Sequence, residues 1–323
     1  MMARYLDPKN DLIFKRIFGE HPDLLIDFLN ALMPLTPDRM IKEIEYLPAE
    51  QVPDNPGKKN SIVDVKCKDK SGGVFIIEMQ MLWTDDFTKR LIFNAGKAYV
   101  RQLKKGEDYH LLQPVYTLAI LNESFDHQTK RFYHHYSIVN KENTKEVIEG
   151  LEFVLVELPK FKTKKWRDRQ MAALWLRFLK EVNESMFRLP KDLAGNEQIR
   201  KAAELCEEAG FTPEELAAYE AYWDIISTEK TIRKGTLAQG RVEGEAIGLE
   251  KGEAIGLEKG EAIGLEKGEA IGLEKGKAIG ETSILEKIVV EGKLNGFSLE
   301  QIQSLTKLTV AQIIEILKRH GVE

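Results

Sequence analysis

Apolar residues between Asp11 and Leu32 recur close to helical spacing: Leu12, Ile13, Phe14, Ile17, Phe18, Leu24, Leu25, Phe28, Leu29 and Leu32. This predicts an amphipathic helix, with a break between Gly19 and Pro22. From Ile41 to Leu47 apolar and charged residues alternate, as in a half-buried strand. Pro48 to Asn60 holds three prolines and Gly57 and reads as a loop. Strands are predicted at 61–69 and 74–82, joined by a turn at Lys68-Asp69-Lys70-Ser71-Gly72-Gly73. Phe87 to Leu103 is a second long helix. Pro114 to Leu121 is a buried strand, and Val154 to Leu158 another. Helix, three strands, helix and strand in that order imply an α/β fold with a mixed central sheet flanked by helices.

Beyond Leu158 the pattern changes. Pro159 to Arg169 carries Lys160, Lys162, Lys164, Lys165, Arg167 and Arg169 against one acid, Asp168, with Phe161 and Trp166 interleaved. A charged connector and an electropositive groove both fit it. Met171 to about Arg233 is helical, with breaks at Gly195 and at Gly210-Phe211-Thr212-Pro213; Thr212 with Glu215 forms a capping box. Then Gly-Glu-Ala-Ile-Gly-Leu-Glu-Lys repeats identically from Gly244, Gly252, Gly260 and Gly268. Its spacing is wrong for a phosphate loop. Its charges exclude a membrane GxxxG face. Its eight glycines disfavour a helix by on the order of 6–8 kcal/mol relative to alanine. Eight helical residues rotate by roughly 800°, so the isoleucines drift around the axis and form no straight stripe. A semi-flexible or loosely helical spacer and an oligomerising helix both remain open. Ser283 to Leu294 is helical, stopping near Asn295-Gly296. Capping boxes at Ser298/Gln301 and Thr309/Gln312 start two short helices, and Gly321 suits a helix end. That pair reads as a packing or dimerisation unit, or as a helix-turn-helix in which Gln312 is the one obvious base-reading side chain.

Composition narrows the picture little. The 323 residues carry a formal net charge of −5, so any nucleic-acid site must be a local patch. Two cysteines, Cys67 and Cys206, make no disulfide framework and fit a reducing cytosol. The N-terminal residues lack a signal-peptide core, and no stretch approaches the ~18 apolar residues of a membrane span. A cytoplasmic protein is expected.

The candidate chemistry lies in the two central strands. Glu78 and Gln80 are two apart and share a face, and the hairpin brings Asp64 to them. Carboxylates within an apolar strand are costly unless compensated. Mg²⁺, which takes one or two carboxylates plus water and phosphate oxygens, is the simplest compensator. That points to metal-assisted phosphodiester cleavage. Two acids and an amide on an exposed sheet face is the plainer alternative. Asp11 reads first as an N-terminal helix acid. Lys15, Lys89, Arg90 and Lys97 are candidates for contacting a DNA backbone, or lie on solvated helix faces. His134 and His135 are adjacent, unsuited to ligating one metal from one face, and are expected on the surface.

An Asp in one strand, Glu-x-Gln in the next, and this element order resemble the PD-(D/E)XK nuclease superfamily, specifically its Rpn branch of recombination-promoting nucleases, the PD-(D/E)XK nuclease-family transposases. The resemblance covers roughly residues 5–180. It rests on Asp11-Leu12-Ile13-Phe14-Lys15-Arg16-Ile17-Phe18-Gly19, Ile62-Val63-Asp64-Val65, Ile77-Glu78-Met79-Gln80, Arg90 to Tyr99, Val115 to Leu121 and Val156-Glu157-Leu158-Pro159-Lys160-Phe161. It implies a restriction-endonuclease-like core with an α-helical C-terminal region, and Mg²⁺-dependent cleavage of DNA by water. Asp64 and Glu78 would be the metal ligands, with the Met79 carbonyl as a third. Gln80 stands where the superfamily pattern has lysine, although the Rpn branch commonly shows glutamine. A lysine stabilises developing negative charge; an amide orients water without carrying charge.

The expected organisation is a nuclease-like domain at 1–180, a helical extension at 181–235, a repeat spacer at 236–281 and a C-terminal helical pair at 282–323. The partners expected are DNA and a second copy of the chain, in a homodimer through the C-terminal region. A catalytically weak or inactive DNA-binding or regulatory protein on a nuclease fold is the rival reading, and an assembly protein is a third.

Overall fold

The computed structural model describes residues 4–51, 61–162 and 170–322. The chain forms two compact units, Met1–Lys234 and Gly235–Glu323. Of the basic cluster, Lys164, Lys165, Trp166, Arg167, Asp168 and Arg169 lie outside the described residues, as does most of the 48–60 loop.

In the first unit, α1 (Asp11–Glu20) and α2 (Pro22–Leu32) replace one long helix. The Asn10 side chain caps α1 by accepting from the Leu12 amide. Pro22 opens α2 where a missing N–H costs nothing. The strands are β1 (Ile44–Tyr46), β2 (Glu50–Gln51), β3 (Ser61–Ile62), β4 (Val65–Asp69) and β5 (Val74–Gln80). After α3 (Phe87–Val100) come β6 (Val115–Leu121), β7 (Tyr133–Val139) and β8 (Val147–Glu157). Helices α4 (Gln170–Glu181), α5 (Lys191–Ala194) and α6 (Glu197–Glu204) follow, and α7 (Pro213–Leu294) starts at the Thr212/Glu215 capping box.

The main sheet has the order β1-β4-β5-β6-β8-β7. Strands β5, β6 and β8 run parallel; β1–β4, β4–β5 and β7–β8 pair antiparallel. The mixed sheet flanked by helices that the order of elements predicts is present. One face packs Phe75, Ile77, Met79, Leu118, Ile120, Val154 and Val156 against α1, α2, α4 and α6. Phe14, Phe18, Phe28 and Trp175 join there ring to ring, at centroid distances of 4.4 to 5.5 Å. The other face packs Val74, Ile76, Val115, Ala119, Leu121 and Leu155 against Phe87, Leu91, Ala95 and Ala98 of α3. Burial on both faces explains why β5 reads as an almost unbroken apolar run.

Three expectations need correction, and a reading left open, that of the repeat, is narrowed. The strand over 61–69 is two pieces, because the chain leaves the ladder at Val63 and Asp64, and β3 pairs with β2 in a separate small sheet. Strand β8 starts well before Val154 and gains a partner, β7, that the sequence pattern does not show: β7 is half exposed and has a register shift between Ser137 and Ile138. The histidines fall on opposite faces of β7. His135 is exposed beside Glu152, whereas His134 is tucked against the buried Glu157, 3.6 Å away. The 236–281 repeat, poor in helix propensity, lies within continuous helix. No proline interrupts it, and the alanines, leucines, glutamates and lysines of each copy favour the helix that the glycines oppose.

In the second unit the end of α7 packs with α8 (Leu299–Thr306) and α9 (Val310–Arg319) around Val289, Ile302, Ile313, Ile316 and Leu317. Both expected capping boxes are formed. Gly296 and Gly321 take positive φ after their helices. Cys67 and Cys206 are free and buried. Among the described residues no helix is long and apolar enough to cross a membrane.

Candidate active site

The site begins with the β4–β5 turn. The Asp69 side chain accepts from the Gly73 amide (2.9 Å) and from Ser71 Oγ (2.7 Å). Gly72 adopts φ +90°, a conformation side chains resist. The turn therefore fixes the register Val65↔Ile77 through Lys68↔Val74. Continued by one residue, that register sets Asp64 across from Glu78. The period of two then places Glu78 and Gln80 with Val74 and Ile76 on the face covered by α3.

Each polar group has definite partners. Where the strand is interrupted, Asp64 Oδ2 accepts from the Met79 amide at 2.6 Å. Glu78 is buried, at 4% exposure. Its Oε1 accepts from Asn94 Nδ2 at 3.0 Å and its Oε2 from Arg90 Nη2 at 3.2 Å. The same Arg90 Nη2 donates to Gln80 Oε1 at 2.6 Å, and Gln80 Nε2 donates to the Leu82 carbonyl. Arg90 and Asn94 are four apart on α3 and so share its sheet-facing side.

Burial, and after it the charge of Glu78, push the Asp64 carboxyl up to about 7; the Met79 N–H opposes this. Burial also raises Glu78, against the lowering influence of Arg90 and Asn94. The Asp11–Lys15 ion pair (2.9 Å) at the start of α1 acts on Asp64 in opposite senses, Asp11 raising and Lys15 lowering it. Tyr222, in the first-unit part of α7, is raised by burial and then by Asp11, Asp64 and Asp7. Arg233 of the same stretch donates to the Trp83 carbonyl and pairs with Glu123 at 3.5 Å, just past the end of β5.

The predicted residues thus divide. Asp64, Glu78, Gln80 and Arg90 come together, and Lys15 lies within electrostatic reach. Lys89 is exposed and paired with Asp86 at 2.7 Å. Lys97 sits over the Phe93 ring, with 5.7 Å to the centroid. Asn94 and Tyr222 were not anticipated. Asn94 leaves a trace in the sequence, as an amide four residues after Arg90 on an apolar helix face. Tyr222 leaves none, because only the tertiary fold brings it to Asp64.

The donor set fits a hard divalent cation. Two carboxylates, buried Glu78 and half-buried Asp64, share a sheet face, and Asp64 is raised partly by the charge of its neighbour, a penalty that a bound cation would relieve. Among the described residues no group of three or more His, Cys, Asp or Glu comes together to hold a metal, so the pair would need water, backbone or phosphate oxygens to complete the shell. A cleft of about 450 Å³ lined by Arg39, Ile41, Asp69, Phe75, Pro114 and Tyr116 lies at the opposite ends of β5 and β6, away from this chemistry.

No curated protein and no solved structure matches the chain. The family model of the PD-(D/E)XK nuclease family transposase matches residues 8–231, which contain the whole sheet, α3 and the first turns of α7. Members of that family are nucleases by description, and PD-(D/E)XK nucleases typically use a divalent metal. The chain belongs to the PD-(D/E)XK nuclease family transposases.

Proposed function

We propose that the protein is a Mg²⁺-dependent DNA endonuclease whose centre is Asp64, Glu78 and Gln80. The observation that carries this reading is the pair of carboxylates, buried Glu78 and half-buried Asp64, brought to one sheet face by a pinned hairpin beside a neutral Gln80. Asp64 and Glu78 would hold the cation, which when bound supplies Lewis-acid polarisation of a phosphoryl oxygen. Gln80 spends one lone pair on Arg90 and one N–H on Leu82. One lone pair and one N–H of its amide are left to orient a water. The water oxygen forms a new bond to phosphorus, and the bond to one bridging oxygen breaks. That oxygen leaves with the electron pair and takes up a proton, while the water loses one to solvent. Asn94 holds the Glu78 carboxylate in its rotamer throughout.

The rival reading, a DNA-binding protein without turnover, draws on the same Gln80, which brings no charge. Plasmid nicking with and without Mg²⁺ separates the two. Turnover that needs Mg²⁺ and Glu78 supports the endonuclease; salt-dependent DNA binding with no turnover supports its rival. We further propose that the repeat and the C-terminal helices bring two copies together. Every copy of the repeat leaves its Ile and Leu exposed, as at Ile255 and Leu257. An unchanged number of chains per particle in solution after deletion of 236–323 rules this out.

A further inference from the structure

Two neighbouring carboxylates, buried Glu78 and half-buried Asp64, make a poor landing place for a phosphodiester, which is itself an anion. Some group must offset that repulsion and also take up the charge that grows on the phosphoryl oxygens during displacement. Gln80 is neutral. Lys15 is bound to Asp11 and Lys89 to Asp86. Arg90 is placed differently. A single nitrogen, Nη2, reaches both Glu78 and Gln80, tying the guanidinium to two of the three central residues. The Phe87 ring lies beneath it, 4.9 Å from centroid to Cζ, and limits its swing. Among the described residues, its Nη1 and Nε donors meet no other acceptor. Its side chain is 47% exposed where that of Glu78 is 5% exposed. The guanidinium is therefore the outward end of the buried cluster, and the first of its groups that an arriving phosphate meets.

We propose that Arg90 is the phosphate-facing cation of this site. Anchored through Nη2 on Glu78 and Gln80, it offers its remaining donors to a non-bridging oxygen of the scissile phosphodiester and stabilises the charge that oxygen gains as one phosphorus–oxygen bond forms and the other breaks. A guanidinium is suited to this, because its donors form a rigid fork that matches two phosphate oxygens at once. The proposal rests on the endonuclease reading. It adds that a helix residue supplies the positive charge that the strand does not.

Five proteins test it: wild type, Glu78→Gln, Arg90→Gln, Arg90→Lys and the double variant Arg90→Gln/Gln80→Lys. Each is assayed for plasmid nicking with Mg²⁺, for binding to a DNA duplex without metal by fluorescence anisotropy, and for Tm. Arg90→Gln is expected to lower kcat about 100-fold, the scale of losing one donor to a developing oxyanion, with KM and metal-free Kd moving by less than about threefold. Arg90→Lys is expected to fall between, since it keeps the charge and loses the fork. The double variant, with a cation restored from the strand, is expected to regain at least about tenfold over Arg90→Gln. A merely structural Arg90 would instead lower Tm and show no recovery. Arg90→Gln cutting like wild type overturns the proposal, as does a loss that Gln80→Lys does not recover. Wild type that cuts no better than Glu78→Gln removes the endonuclease reading itself, and the role of Arg90 with it.

Discussion

Strand β5 and the repeat within α7 are both regular and both rich in isoleucine, yet they are held by opposite means. Every residue of β5 is paired with β6, Val74 to Ile77 are paired with β4 as well, and helices cover both of its faces. Ile76 and Ile77 are wholly buried on opposite faces. In the repeat Ile255 is 52% exposed, and nothing lies within 4 Å of where a Cβ on Gly248, Gly252 or Gly256 would sit. Local propensity and intrahelical hydrogen bonds specify that helix; tertiary contacts specify β5. A functional carboxylate belongs in the second kind of element, because only surroundings fixed on all sides hold a buried charge in one position.

The contrast can be broken most strongly by matched truncations. Ile77→Ala is expected to destabilise the first unit by about 2–5 kcal/mol through lost burial and the cavity left behind. Ile255→Ala is expected to stay within about 0.5 kcal/mol. Chemical denaturation followed by tryptophan fluorescence reads the first, and helical circular dichroism the second. Equal effects would remove the distinction. Next comes Asn94→Leu, which deprives Glu78 Oε1 of its donor in a buried setting. A loss of about 1–3 kcal/mol is expected, together with slower nicking, since the carboxylate is no longer held; unchanged stability would mean that the Asn94 bond is dispensable.

A smaller effect sharpens the electrostatic side. Asp64 titrates near 7 in the fold against an ordinary value of 3.8, so the native state holds its proton more tightly than the unfolded chain does. Its contribution to stability is full below about pH 4 and is lost as pH rises through about 7, with a slope of at most ~1.4 kcal/mol per pH unit. Without metal, the Tm of wild type relative to Asp64→Asn is therefore expected to fall across that window and to level off above it. A difference that stays constant between pH 4 and 8 would show that Asp64 is not so perturbed.

The parts of the fold legible in the sequence are those that local pattern dictates. The break between α1 and α2, the β4–β5 turn, the buried run of β6 and the three capping boxes all follow from residue type and spacing. The rest depends on contacts between distant residues. Strand β7 is half exposed and irregular in register, so its alternation is blurred. The interruption at Asp64 is invisible, because Ser61-Ile62-Val63-Asp64-Val65 is equally good strand on either side of it. At the site, the face shared by Glu78 and Gln80 follows from a period of two. The double anchoring of Arg90 does not, since it needs α3 to lie over that face. A basic residue on an amphipathic helix reads equally as a DNA-backbone contact or as part of a solvated face, and the structure ties Arg90 to two of the central residues. Asn94 and Tyr222 carry the same lesson: polar and aromatic side chains inside apolar patterns acquire their roles only through what the fold sets opposite them.

The central claim is that Asp64 and Glu78 form a working metal-dependent nuclease centre. The most direct test is nicking of supercoiled plasmid by purified full-length protein, with and without Mg²⁺, beside Asp64→Ala and Glu78→Ala of confirmed fold. The account predicts turnover that requires Mg²⁺ and falls by about 1,000-fold or more in each variant, the scale on which catalytic groups act. Full activity retained in either variant, or nicking indifferent to Mg²⁺, would contradict it.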